Sequence, residues 1–181
     1  MDICETDKKL AYDVHINGTK NILDGCKSVN AKMVFISTSA VFDGKKEIYN
    51  EYDETCAINY YGITKAEAEG VIKKSGLDFL IVRTDHPYGW VDSPGQKKNT
   101  VVRALGKLER GEVVEEITDW YNNPTFVDNL SEVIKKLIGK NAEGIYHAAG
   151  HDFINRYEFA VKIAEVFGKD PGLIKKKTSD K

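Results

Sequence analysis

Two kinds of apolar pattern alternate along this chain, and that alternation restricts its fold more than any other feature. "KMVFIS" (32–37) and "LDFLIVRT" (77–84) are short, nearly continuous, β-branched runs, the mark of strands buried in a parallel sheet. Between them a helical period runs over about 59–75, closed by Gly76 where a left-handed C-terminal cap belongs. Residues 6–28 read as an earlier helix with an imperfect stripe of Leu10, Val14, Ile22 and Leu23. Further on, helices are expected at about 99–110, 128–139 and 155–167. "EVVEEIT" alternates like a half-exposed strand, and "GIYHAA" gives another strand. Residues 43–56 and "PYGWVDSPGQKKN" are loops, the second rich in Pro and Gly. Strand and helix in alternation predict an α/β fold, a doubly wound parallel sheet of Rossmann type.

Composition excludes several classes. A chain of 181 residues with 41% hydrophobic and 30% charged residues is long enough to bury a core. A formal charge of -2 gives no reason to expect nucleic acid, and the closing "KKKTSD" reads as a solvated tail. No apolar run reaches the length that spans a bilayer, and "MDICETDKKLAYD" lacks the order of a secretion signal. Cys4, Cys26 and Cys56 are odd in number and far apart, as expected of reduced thiols in a cytoplasmic protein. The four His show no metal-ligand spacing, so no metal site is expected.

The candidate chemistry lies in "NYYGITKAEAEG" (59–70), where Tyr61 precedes Lys65 by four residues. Such a spacing arises by chance in a chain this rich in Tyr and Lys. Its placement is more telling. At the helical repeat Tyr61, Lys65, Ala68 and Ile72 share one inward face, with Thr64 and Val71 beside them, while Glu67, Glu69, Lys73 and Lys74 fall opposite. An inward ammonium is costly unless it snorkels to water or has work to do. A cation beside a phenol favours phenolate and brings the group into range for proton transfer, as carbonyl reduction requires. "FISTSAVFDG" supplies further hydroxyls, Ser37, Thr38 and Ser39, at the carboxyl end of a strand, where parallel sheets gather ligands.

In that order, "STSAVFDG", "NYYGITKAEAE", "LIVRTDHPYGW" and "DWYNNPTFVDNLSEVI" resemble the extended short-chain dehydrogenase/reductases, and within them the dTDP-4-dehydrorhamnose reductases. The resemblance runs through nearly all of the chain. It implies NADPH or NADH as cofactor and a nucleotide-linked 4-keto sugar as substrate. By position it makes Tyr61 the proton donor, Lys65 its electrostatic partner and a contact of the nicotinamide ribose, and Thr38 the hydroxyl that holds the substrate carbonyl. His86 and Pro87, in "RTDHPYG", would border the nicotinamide, with His86 also against the sugar. Asn99 and Asn123 would frame the sugar-nucleotide pocket.

The chain also departs from that family. None of its 15 Gly forms the glycine-rich strand-to-helix turn that cradles a dinucleotide pyrophosphate. The resemblance therefore implies a chain that begins inside the family fold, after its fourth strand, with residues 1–88 the second half of the Rossmann sheet. Residues 89–181 would be mostly substrate-binding region, with 144–167 returning to the sheet. His15 replaces an Asn, and Ser39 an Asp that serves the related dehydratases. A strand at 32–37 without its family neighbour would expose an apolar edge. Self-association, or a partner chain on that edge, is expected, and binding of NAD(P)H by this chain alone is expected to be weak. The alternative is a non-catalytic, reductase-like binding or regulatory subunit.

Overall fold

The computed structural model describes residues 2–90 and 98–179. In chain order the first elements are α1 (Asp2–Thr6), α2 (Lys8–Tyr12), α3 (Gly18–Ser28), β1 (Met33–Thr38), α4 (Tyr60–Lys73) and β2 (Phe79–Thr84). Then come β3 (Pro87–Tyr88), α5 (Thr100–Glu109), β4 (Val114–Ile117), β5 (Tyr121–Asn122), β6 (Thr125–Phe126) and α6 (Val127–Gly139). The last are β7 (Gly144–His147), β8 (Ile154–Asn155), α7 (Arg156–Val166) and β9 (Ile174–Lys177). They form two compact units, Met1–Thr84 with Val133–Ala148, and Asp85–Glu132 with Ala149–Lys181.

The first unit is built on a parallel sheet of order β1-β2-β7, as the α/β pattern requires. β2 is buried almost throughout because it is central, and an apolar run is what both of its faces demand. β1 was expected to be buried too, yet Ile36 in its middle is 42% exposed. Its position explains this: among the described residues β1 pairs only with β2 and forms an edge. Leu23, Met33, Ile72 and Ile81 join α3, α4 and the sheet in one core cluster.

The long helix expected over 6–28 is interrupted. Residues Asp13–Asn17 form a single π-helical turn, closed by the Gly18 N–H donating to the Asp13 carbonyl five residues back. The extra residue rotates everything before it relative to everything after it. The buried side chains are Ala11, Ile16, Thr19 and Leu23, whereas Leu10, Val14 and Ile22 are 49%, 59% and 57% exposed. The imperfect stripe read from the sequence thus belonged mostly to the outer face.

The second unit centres on α5 and α7 packed over the parallel pair β4-β9, with Val101, Leu108, Val114, Phe159, Ile163 and Ile174 in its core. β9 corrects the expected tail: Lys175 to Lys177 are solvated, but their backbone is ordered against β4 because Ile174 anchors the strand in the core. α7 starts in a capping box, Asn155 accepting from the Glu158 N–H and Glu158 accepting from the Asn155 N–H. Two short ladders complete the unit, β3-β6 parallel and β5-β8 antiparallel. The Pro/Gly-rich stretch 87–99, expected to be loop throughout, opens with the short strand β3, which pairs with β6, and its residues 91–97 lie outside the described residues. Among the described residues no helix is long and apolar enough to cross a membrane, and no cluster of His, Cys, Asp and Glu could hold a metal ion.

Candidate active site

Thr38 is the last residue of β1, level with Thr84 at the carboxyl end of β2. Its hydroxyl accepts from the Ala40 N–H at 3.1 Å, which folds the chain into the turn that follows. α4 arrives beside that turn through Asn59, whose side chain caps the helix by accepting from the Gly62 N–H, and through Glu5, which accepts from the Tyr60 N–H. Gly62 is required by the approach: a β carbon there would collide with the Ala40 carbonyl and the Ala57 methyl. This packing brings Tyr61 and Thr38 together, close enough for the Thr38 side chain to pull the Tyr61 pKa downward.

Lys65 lies one turn further along α4, half-buried. Its ammonium donates to the Ile36 carbonyl at 2.7 Å and sits 3.9 Å from the Phe35 ring centroid. Burial pushes its pKa down to about 8, against the opposing pull of Glu69. The sequence led us to expect a phenol made acidic by this cation. The structure gives the opposite direction: burial raises the Tyr61 pKa, and the hydrogen bond from Thr38 works against that rise. The physical reason is orientation, since the ammonium is turned toward the β1 backbone and the Phe35 ring. His15 completes the group. Its Nδ1 lies 2.7 Å from the Thr64 hydroxyl, and its ring meets Tyr61 edge-on at 5.6 Å. Burial and the charge of Lys65 both depress the His15 pKa.

The remaining predicted residues belong to the second unit, gathered around β3 and β6. His86 has a φ of 39°, in the left-handed region that few side chains adopt. Its carbonyl accepts from the Thr125 N–H at 3.2 Å, and its ring packs edge-on against Phe159 at 5.8 Å. Pro87 is exposed and pairs with Thr125. Asn99 caps α5, accepting from the Val101 and Val102 N–H groups, while its amide donates to the Gly89 carbonyl. Asn123 donates to the Gly150 and Asp152 carbonyls. Asp85 organises this region: its carboxylate accepts from Asn122 and from the Asn123 N–H, and its carbonyl accepts from Thr125. Asn99 and Asn123 thus spend most of their polar groups on holding loops in place.

Three comparisons bear on this arrangement. Residues 1–181 match the family described as RmlD substrate binding domain. The chain belongs to this family. Its fold is that of the extended short-chain dehydrogenase/reductases. The chain is 28% identical over 178 residues to dTDP-4-dehydrorhamnose reductase of Mycobacterium tuberculosis, covering 94% of this chain and 57% of that protein. It is 26% identical over 172 residues to methionine adenosyltransferase 2 subunit beta of Pongo abelii, covering 92% and 51%. A solved dTDP-4-dehydrorhamnose reductase from Bacillus anthracis, in complex with NADP, superposes with a TM-score of 0.92 at 29% identity, covering 99% of this chain and 62% of that one. The chain spans about half the length of the curated relatives it matches.

This RmlD-type domain also contains a network that the sequence reading missed. Glu69, assigned to the polar side of α4, is 0% exposed, and Arg83 on β2 is 3% exposed. Arg83 grips Glu69 through two hydrogen bonds of 3.0 and 2.6 Å, and Ser37 donates to the same carboxylate at 2.5 Å. Phe42 stacks under the guanidinium, and His147 approaches it at 3.4 Å. The network joins β1, one residue before Thr38, to α4, one turn beyond Lys65. A usable signal existed. Arg83 stands in an otherwise apolar strand and so needs a buried anion, and Glu69 lies four residues after an inward Lys65.

Proposed function

We propose that the protein to which this chain belongs reduces the 4-keto group of a nucleotide-linked sugar with NAD(P)H. The observation that carries this reading is the Thr38–Tyr61 hydroxyl pair at the carboxyl end of β1, with the Lys65 ammonium one helical turn away. Two hydroxyls brought this close can both turn to one carbonyl oxygen. Thr38 holds it, and Tyr61 protonates it as negative charge develops. A pKa raised above its ordinary value keeps Tyr61 in its proton-donating form throughout the neutral range. Lys65, one turn along α4 with its ammonium on the Ile36 carbonyl, would swing toward the phenolate left after transfer. His86, Pro87, Asn99 and Asn123 are proposed to border the nicotinamide and the sugar.

The donor set of Tyr61 and Lys65 fits the ribose hydroxyls of a nicotinamide nucleotide. Among the described residues no glycine-rich turn offers a pyrophosphate cradle, so we expect the isolated chain to bind the cofactor weakly. When bound, NAD(P)H supplies the hydride. The relatives' printed functions support this reading, as does the solved relative's complex with NADP. The test is NADPH oxidation in the presence of a dTDP-linked 4-keto sugar, followed by absorbance in an assembly that turns over. Tyr61→Phe should lower kcat by at least about a hundredfold, the usual scale of a lost general acid, while leaving the Kd for NADPH nearly unchanged. Turnover that survives this substitution removes Tyr61 from the role.

A second reading follows from the likeness to a protein named methionine adenosyltransferase 2 subunit beta: this chain would serve as a non-catalytic binding or regulatory subunit. Saturable binding of a partner enzyme, together with no oxidation of NADPH by the wild-type protein, would favour it.

A further inference from the structure

Three consecutive residues of β1 meet three residues of one stripe on α4. The Ile36 carbonyl accepts from the Lys65 ammonium at 2.7 Å, the Ser37 hydroxyl donates to Glu69 at 2.5 Å, and the Thr38 side chain stands beside Tyr61. Tyr61, Lys65 and Glu69 follow one another at a spacing of four residues, along a single helical face. The contact at Glu69 is the most enclosed of the three. Glu69 is 0% exposed and Ser37 3%. Arg83, level with Ser37 on β2, closes on the same carboxylate through Nε at 3.0 Å and Nη2 at 2.6 Å. β1, β2 and α4 therefore converge on one carboxylate, one residue from Thr38 and one helical turn from Lys65.

Stability alone gives little reason for this arrangement. A buried ion pair replaced by well-packed apolar side chains of similar volume is often as stable, or more so. What the pair supplies is discrimination between registers. A slip of β1 by one residue would turn Ser37 to the other face of the sheet and leave buried polar groups without partners. An apolar contact imposes no such penalty.

We propose that Glu69 is a positioning residue that fixes the register of β1 against α4, and with it the places of Thr38 and Lys65 beside Tyr61. This inference rests on the reading of those three side chains as the proton-transfer group. The charge of Glu69 acts on Lys65 as well. Of the groups packed near the ammonium, Tyr61 is protonated and His15 neutral near pH 8, and Arg83 is turned onto Glu69. The Glu69 carboxylate is what opposes the effect of burial on Lys65.

Lys65 can be followed without turnover. Competitive acetylation of the folded chain across the neutral and alkaline range, read at the Lys65 peptide by mass spectrometry, should give a midpoint near pH 8 in the wild type. Glu69→Gln keeps the size and an oxygen for Ser37 but removes the charge. It should move that midpoint downward, with Lys65 acetylated at least about threefold faster at pH 7. An unmoved midpoint overturns the coupling of Glu69 to Lys65. The triple variant Ser37→Ala, Glu69→Leu, Arg83→Met removes all three polar groups together, so none is stranded and its urea midpoint should stay close to the wild type. Should Glu69→Gln fail to fold, the triple variant carries the acetylation test, with the same downward shift expected. In an assembly that turns over, both variants should lose at least about tenfold in kcat, the scale of misplaced reacting groups, while KM changes by less than about twofold. A triple variant with native stability and native kcat shows the network to be structural only and overturns the proposal. If the wild type does not oxidise NADPH, the reductase reading fails, while the acetylation result still decides whether Glu69 governs Lys65.

Discussion

The proton inventory around Tyr61 makes the proposed chemistry depend on pH in one direction. Tyr61 is shifted upward and stays protonated through the neutral range, so the group that titrates first on the alkaline side is Lys65, at about 8. We expect kcat to fall as pH rises through that value, because a neutral Lys65 can no longer turn a charge toward the phenolate left after transfer. Stability moves the other way. The Lys65 pKa is about 8 in the folded chain against 10.5 ordinarily, so between those values the unfolded chain holds more protons. Unfolding free energy therefore rises with pH across that window. Urea denaturation at pH 8 and pH 10, wild type against Lys65→Met, checks this: the wild type should gain relative to the variant. A gap that stays constant with pH would mean Lys65 is not desolvated. His15 titrates lower, and with its pKa depressed by burial and by Lys65 it is neutral at pH 7.

Helix α4 is held against the sheet by two unlike devices, one a missing side chain facing the turn after β1 and one a buried ion pair to β2. Gly62 lets the helix start touch the turn after Thr38. Gly62→Ala should push the two apart, costing about 1–3 kcal/mol as an overpacking change, and should slow turnover more than it raises KM. Steady-state kinetics alongside thermal melts will separate the effects; a normal kcat would show that the approach is not needed. At the other end of the helix, Glu69→Ala strands Arg83 without its carboxylate. Removing one partner of a buried pair costs about 3–5 kcal/mol, measurable from the urea midpoint. A loss below about 1 kcal/mol, the scale of an exposed pair, would contradict the burial described here. Ser37→Ala, which removes one of the three hydrogen bonds on that carboxylate, should cost clearly less.

Across the first unit, apolar surface remains in the open. Among the described residues β1 is an edge strand carrying an exposed Ile36, and Leu10, Val14 and Ile22 stand outward on the helical segments before it. Edges of this kind invite pairing with another strand. We expect sedimentation velocity of the isolated chain to show species larger than its 20.3 kDa, with an equilibrium that shifts with concentration. A sharp monomer with one cooperative melt would refute that expectation.

Much of this architecture could be read from residue order, because periodicity and punctuation are local properties. The runs at 32–37 and 77–84, the cap at Gly76, and the helices expected at about 59–75, 99–110, 128–139 and 155–167 appear within a residue or two of where the chain announces them. Tyr61 and Lys65 on one helical face, with Thr38 at a strand end, were equally legible. What could not be read depends on contacts between segments distant in sequence. The π-turn moved the buried stripe by one residue, Arg83 drew Glu69 inward, and β4 gave order to a lysine-rich tail. The direction of the Tyr61 pKa belongs to the same group: a four-residue spacing sets which side chains are neighbours, but burial and the aim of a flexible ammonium set the sign.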